Sequence, residues 1–498
     1  MLDKVLIANR GEIAVRIIKA CHEMDINTVT IYSEVDEDAP HVHLADESIN
    51  LGDPAPEESY LNIPKIIEIA QSSGADAIHP GYGFLAENPD FASACEDTDI
   101  TFIGPHSEVI ALMGNKIEAK KSMEEAGVPI VPGYHGSEQD IDTLVEEGKK
   151  IGFPLMIKPT AGGGGKGMKI VDSEEDLPEA IESSKREAKS SFGDESVFLE
   201  KYLDKPRHVE MQILADAQGN VVHLFERECS IQRRHQKIIE ETPSPVMTEE
   251  LRKKMGKAAV NAAEAVEYTN AGTVEFMVDA DLNFYFMEMN TRLQVEHPVT
   301  EATTGIDLVK WQLKITDGEE LAFEQDDIEQ LGHSMECRIY AEDPSSGFLP
   351  SVGKLKKIDP PTGPWIRNDV GVQNGMEITP YYDPLLSKLT VRGKRREESI
   401  QRMSYALSNY VALGVTTNVP FLKEVIEHEK FKNGDITTNF IDNYFKDWAV
   451  AHEGLPLKAL IALAVHEMKH PEREEVRKYK ESDPHSPWKS AGKWRIGV

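Results

Sequence analysis

The stretch Phe153 to Val171, FPLMIKPTAGGGGKGMKIV, decides how the chain is read. Leu155–Lys158 predicts a strand and Met168–Val171 a second one, with four consecutive glycines between them. Glycine has no Cβ, so backbone N–H groups can close on a phosphate chain. Lys158, on the entering strand, can meet a phosphate oxygen. No G-x-x-x-x-G-K-[ST] pattern is present, and a strand rather than a helix follows, so this is not a Walker A loop. Four adjacent glycines are costly to order, and a plain hairpin would hardly need them. The stretch reads as a mobile phosphate-covering lid.

A second stretch, Thr273 to Glu301, reads TVEFMVDADLNFYFMEMNTRLQVEHPVTE. Val274–Asp279 and Phe284–Met289 predict a hairpin. With Asp281-Leu282 as its loop, Glu275 sits directly opposite Glu288. Facing carboxylates repel unless a cation lies between them. Glu288 and Asn290 share a strand face because side chains alternate. Three hard oxygen ligands then converge, as a nucleotide-bound Mg²⁺ requires. Apolar neighbours such as Phe276, Phe286 and Met287 argue against a merely solvated face. Arg292 and Glu296 follow, a fork suited to a planar oxyanion and a candidate base.

The third stretch is Cys229 to Glu241, CSIQRRHQKIIEE. Gln232, Arg233, Arg234, His235 and Lys237 crowd a short span. In a chain with 54 basic and 86 acidic residues, net −32, a local basic cluster points to a small anionic substrate. His208, in PRHVEMQIL, reads equally as a core histidine or a site residue.

Working outward, the first 110 residues alternate strand and helix. Lys4–Ala8, Thr28–Tyr32, Ala75–Ile78 and Ile100–Gly104 read as strands, with helices at Ile13–Cys21 and Lys65–Gln71, so a parallel sheet is expected. The first loop lacks G-x-G-x-x-G, against a dinucleotide site. One helical stretch is expected over Gly114–Gly133, a strand-rich region after Gly332, and a helix at Ser399–Leu413. The expected divisions are 1–113 for the N-terminal α/β domain, 114–203 and 204–330 for the two parts of the nucleotide-binding region, 331–445 for the strand-rich C-terminal domain, and 446–498 for an extension. The acidic balance disfavours nucleic acid and anionic membrane. Four scattered cysteines form no C-x-x-C, against zinc or a disulfide framework. No secretory signal opens the chain, and Ala459–Val465 is too short to span a bilayer, so the expected location is cytoplasmic.

These motifs together resemble the biotin carboxylases, within the ATP-grasp ligases. The resemblance runs from Val5 to about Phe440 on KVLIANRGEIAVRII, IHPGYGFLAEN, MGNKIEAK, IKPTAGGGGKGM, EKYLDKPRHVE, ECSIQRRHQKIIEE and EMNTRLQVEHPVTE. It implies an N-terminal parallel-sheet α/β domain, an ATP-grasp with a glycine-loop lid, and a strand-rich C-terminal domain. It implies that Lys116, Lys158, Gly164 and Gly165 hold the ATP phosphates, and that Glu200, Lys201 and Leu203 line the adenine hinge. His208, Gln232 and His235 would face the nucleotide. Glu275, Glu288 and Asn290 would ligate two Mg²⁺ (or Mn²⁺). Lys237, Arg292, Gln294, Val295 and Glu296 would hold bicarbonate, Glu296 as general base. Arg338, in MECRIYAED, and Tyr82 would meet biotin.

Whole biotin-dependent carboxylases carry a biotinyl lysine in an A-M-K-M-like turn. The tail offers only Glu467-Met468-Lys469-His470, in a charged run with Pro471 after it, which reads as accidental. A separate biotin carboxylase subunit is therefore expected, working as a homodimer with a separate biotinylated carrier or carboxyltransferase subunit. The tail after Phe445 resembles that of the longer A subunits of archaeal two-subunit pyruvate carboxylases. An acetyl-CoA or acyl-CoA carboxylase is the alternative, and another ATP-grasp ligase a more distant one.

Overall fold

The computed structural model describes residues 2–160, 167–449 and 457–469. Five parallel strands form the N-terminal sheet in the spatial order Glu47–Gly52, Asn27–Ser33, Lys4–Ile7, Ala77–His79, Thr101–Phe102. Val5, Leu6 and Ile7 are fully buried because helices cover both faces. The helix Gly11–His22 buries Ile13, Ile17 and Cys21 at the predicted spacing. Glu47–Gly52 was not expected from the sequence. It is an edge strand that buries only Leu51, so it lacks the apolar run that marks its neighbours.

Within the predicted helical stretch over Gly114–Gly133 only Lys116–Glu125 is a helix, and a separate helix, Ser107–Gly114, ends where that stretch begins. Asn115 breaks them: its backbone leaves the helical region and its side chain accepts from the Ile117 and Glu118 N–H groups. The two strands flanking the glycine loop, Leu155–Pro159 and Lys169–Val171, pair antiparallel. With Val197–Lys201 and Gly133–Tyr134 they make a four-stranded sheet. Leu144, Ile157, Leu177, Ile181 and Leu199 form its core beneath two helices.

The largest sheet has eight strands, in the order Phe284–Asn290, Asn270–Val278, Arg207–Ala215, Val221–Arg233, Gln236–Thr242, His333–Tyr340, Leu385–Gly393, Ile366–Val370. Every pairing is antiparallel. It runs unbroken past residue 330, since Ile239 pairs with Cys337 and Glu240 with Glu336. The helix expected at Ser399–Leu413 ends at Ser408, with Asn409 as its cap, and Val411–Leu413 is instead a strand paired with Lys357–Asp359. Contacts divide the chain into Met1–Ala449 and Val450–Val498. In the second unit Leu457–Lys469 is a helix. Among the described residues no helix is long and apolar enough to cross a membrane.

Candidate active site

Glu275 does face Glu288, by a route the sequence did not suggest. The hairpin loop is longer than two residues: the Asp279 N–H bonds to Asn283 O. The outer ladder therefore pairs Val278 with Phe284 and Phe276 with Phe286, one residue out of the expected register. A bulge at Met287 restores it, so that Glu275 meets Glu288. Bulges re-aim side chains, and here one sets the carboxylate pair.

Glu275 is crowded with donors. Its Oε1 accepts from Lys237 Nζ at 2.6 Å, Asn290 Nδ2 at 2.8 Å and Gln294 Nε2 at 3.1 Å. His208 Nε2 lies 2.8 Å from Oε2. Burial pushes the Glu275 carboxyl up, but Lys237 and His208 outweigh it and hold the group well below the usual carboxylate range. Glu288 opens onto the cavity and carries no comparable set of donors. Surrounding protein and the nearby Glu275 push its carboxyl up. A buried carboxylate opposite a raised one, beside an amide oxygen, is a hard-oxygen donor set that a divalent cation would relieve. His208, Glu210 and Glu275 also converge closely enough to hold an ion.

Lys237 is the centre of the site. Its Nζ donates to Glu210 at 2.5 Å, Glu275 at 2.6 Å and Glu296 at 2.8 Å. Glu296 is fully buried, and its other oxygen accepts from Arg338 Nη2 at 3.0 Å. Arg338 Nε in turn donates to Glu240 at 2.6 Å. Burial alone would raise the Glu296 carboxyl; Lys237, Arg338 and Arg227 together drive it well below its ordinary value, so it is ionised. Arg292 bridges Glu87 at 2.7 Å, Gln294 at 3.0 Å and Asn290 at 3.0 Å.

Three members of this network, Glu210, Arg227 and Glu240, were not singled out from the sequence. Glu210 lies directly across one strand from Glu275 and across another from Arg227, a placement visible only once the register is known. Glu87 sits inside the IHPGYGFLAEN motif, which gave the signal without the role. The basic cluster splits. Arg233 turns away to a two-point bond with Glu342, at 2.7 and 2.8 Å, and to the Phe348 ring. Gln232 holds the His208 ring at 2.7 Å, so His208 bridges Gln232 and Glu275 as part of the site.

A cavity of about 1150 Å³ joins these groups. Lys116, Lys158, Lys201, Leu203, His235 and Glu288 line it, with Val295, Arg338 and Tyr82. Lys158 Nζ is 2.5 Å from Glu200, whose other oxygen is bonded to Lys120. Glu200 is thus a counter-charge for two lysines. Gly164 and Gly165 lie outside the described residues.

A parallel-sheet domain, a glycine-spaced strand pair carrying a lysine, and a hairpin of facing carboxylates around one cavity define an ATP-grasp ligase. Residues 115–324 match the family described as carbamoyl-phosphate synthase L chain, ATP binding domain. Residues 1–110 and 336–443 match those described as the biotin carboxylase N-terminal and C-terminal domains. The pyruvate carboxylase A subunit of Methanothermobacter thermautotrophicus is 52% identical over 444 residues, 89% of this chain and 90% of that protein. The alpha subunit of the mitochondrial methylcrotonoyl-CoA carboxylase of Dictyostelium discoideum is 52% identical over 496 residues, 99% of this chain and 70% of that protein. The biotin carboxylase domain dimer of Hydrogenobacter thermophilus 2-oxoglutarate carboxylase, solved with MgADP, ADP and bicarbonate, is 48% identical with a TM-score of 0.85, covering 91% of this chain and 100% of that one. The chain belongs to the biotin carboxylase family.

Proposed function

We propose that this chain uses ATP and bicarbonate to carboxylate biotin presented by a separate carrier, as the biotin carboxylase component of a two-subunit pyruvate carboxylase. The observation that carries the chemistry is the buried Glu296 carboxylate held between Lys237 and Arg338. Bicarbonate entering between those two cations competes for them and loosens their hold on Glu296. The carboxylate thereby regains basicity and takes the bicarbonate proton. The freed oxygen attacks the γ-phosphorus of ATP, ADP leaves, and carboxyphosphate forms. Lys116 and Lys158, with Gly164 and Gly165, hold the phosphates; Lys201 and Leu203 face the base. Glu275, Glu288 and Asn290 would hold magnesium, which offsets phosphate charge when bound.

Carboxyphosphate breaks to CO₂ and phosphate. The phosphate accepts the proton from the biotin ureido nitrogen, which then attacks CO₂. Arg338 stabilises the ureido oxyanion, with Tyr82 lining the same cavity. Arg292 and the Gln294–Val295 segment keep the carbon species in place.

The pyruvate assignment draws support from the Methanothermobacter relative, matched over nine-tenths of its length. An acyl-CoA carboxylase is the second reading, because the Dictyostelium relative alone of these two aligns through the tail. Lys469 ends a helix, unlike the hairpin tip of a biotinyl domain, which supports a separate carrier. Bicarbonate-dependent ATP cleavage in the presence of free biotin tests the half-reaction. The biotinylated protein that co-purifies, assayed with pyruvate and with acyl-CoA, decides the acceptor.

A further inference from the structure

The segment Gln294–Glu296 has both of its peptide planes pinned from behind the cavity. Gln294 O accepts from His297 Nδ1 at 2.8 Å and from the His297 N–H at 3.3 Å. Val295 O accepts from Lys388 Nζ at 2.9 Å. A trans peptide points its N–H opposite to its carbonyl, so these bonds fix the directions of the Val295 and Glu296 N–H groups.

Lys388 is fully buried and does not line the cavity. It lies directly across from Arg338 on one neighbouring strand and from Asp369 on the other. Residues so placed share a face. One row of the large sheet thus sends two cations to adjacent positions of one segment: Arg338 to the Glu296 carboxylate and Lys388 to the Val295 carbonyl. Against Lys388 stand Glu12, which lines the cavity, at 3.2 Å and Asp369 at 3.9 Å. Glu12 belongs to the first turn of the helix Gly11–His22. That turn comes so close to residue 371 that a Cβ there would lie 2.3 Å from the Glu12 nitrogen, so Gly371 permits the approach. A buried ammonium costs several kcal/mol to desolvate, and an apolar side chain would fill the space more cheaply.

We propose that Lys388 is a positioning residue for bicarbonate, orienting the Val295–Glu296 peptide, with Glu12 as its counter-charge. This rests on the bicarbonate reading given above. The test compares the wild type with Lys388→Met and with the double variant Glu12→Gln/Lys388→Met, which leaves no uncompensated Glu12 carboxylate. Urea unfolding and KM for bicarbonate and for ATP are measured for each. The double variant is expected to unfold near the wild-type urea midpoint, yet to show a bicarbonate KM raised about tenfold or more, with the ATP KM within about twofold. Wild-type ATP cleavage indifferent to bicarbonate overturns the reading of the site and this inference with it. A bicarbonate-dependent wild type with an unmoved bicarbonate KM in the double variant overturns this inference alone. So does a parallel rise in both KM values, or failure of the double variant to fold, either of which would make Lys388 a purely stabilising residue.

Discussion

The two ends of the cavity use the same residue types in opposite proportion. At one end two lysines, Lys120 and Lys158, share the single carboxylate of Glu200. At the other, three carboxylates, Glu210, Glu275 and Glu296, share the single ammonium of Lys237. At the first end, burial and the crowding of lysines push the Lys120 and Lys158 ammonium groups down, to about 6 and about 8, a positive excess that a phosphate chain would relieve. At the second, Lys237, Arg227 and Arg338 together balance those three carboxylates, and the spare negative charge is that of Glu288, open to a divalent cation. The lesson is that charge excess, rather than charge presence, tells which ligand belongs where. A buried pair that is balanced mainly holds structure; the imbalance is what an incoming ion completes.

The most severe way to break the contrast is Lys237→Met. Removing one partner of a buried ion cluster leaves uncompensated charge and costs about 3–5 kcal/mol. Urea unfolding should show that loss, and bicarbonate-dependent ATP cleavage should vanish with it. Next come Glu296→Ala and Arg338→Ala, which separate two steps. The first should reduce ATP cleavage by about 10²-fold or more. The second should leave part of the ATP cleavage while impairing carboxyl transfer to biotin. Equal loss of both activities in both variants would contradict the division of roles.

Glu288→Gln sharpens the comparison because its two effects have opposite sign. Turnover with Mg²⁺-ATP should fall by about 10²-fold, and near-normal turnover at saturating Mg²⁺ would remove Glu288 from the ligand set. Without metal, stability should rise. The Glu288 carboxyl is raised in the fold, so its contribution is present below the unfolded pKa and is lost as pH rises through the folded one. As pH rises through that folded value the wild type loses it, and the amide has nothing to lose. Glu275 and Glu296 are depressed and behave in reverse: their contribution is present above the unfolded carboxylate value and disappears as pH falls through the folded one. Metal-free thermal unfolding between pH 4 and 8 should therefore show the variant's advantage growing with pH.

The mildest test is Glu200→Gln. Lys158 stays partly open to the cavity, with its side chain 30% exposed, so water can solvate it, and buried Lys120, whose ammonium is pushed down to about 6 by burial and the neighbouring lysines, can shed its proton. The cost should be about 1–3 kcal/mol, below that of Lys237→Met in the same urea assay. A larger loss would mean that the two ends are not opposites.

Much of this site was legible because strands repeat every two residues. Alternation placed Glu288 and Asn290 on one face, and the glycine run marked the strand pair Leu155–Pro159 and Lys169–Val171. The bulge at Met287 was invisible: two register errors, a longer loop and an extra residue, cancelled at Glu275. Glu210, Arg227 and Glu240 were missed because their meaning lies in neighbours across strands. In the fold, the apolar strands of the N-terminal sheet announced themselves, while the polar edge Glu47–Gly52 did not. The helix breaks at Asn115 and Asn409 turn on single side chains with weak helix preference.

The eight-stranded sheet runs without interruption from the carboxylate hairpin to the strands bearing Arg338 and Lys388. Lys237 and Arg338 stand on strands that are hydrogen-bonded side by side. The spacing of their backbones cannot change without tearing a ladder. That makes the sheet a gauge block: on the proposed reading, the two cations that would flank a three-oxygen anion are carried at a spacing set in the backbone, which no loop movement can adjust.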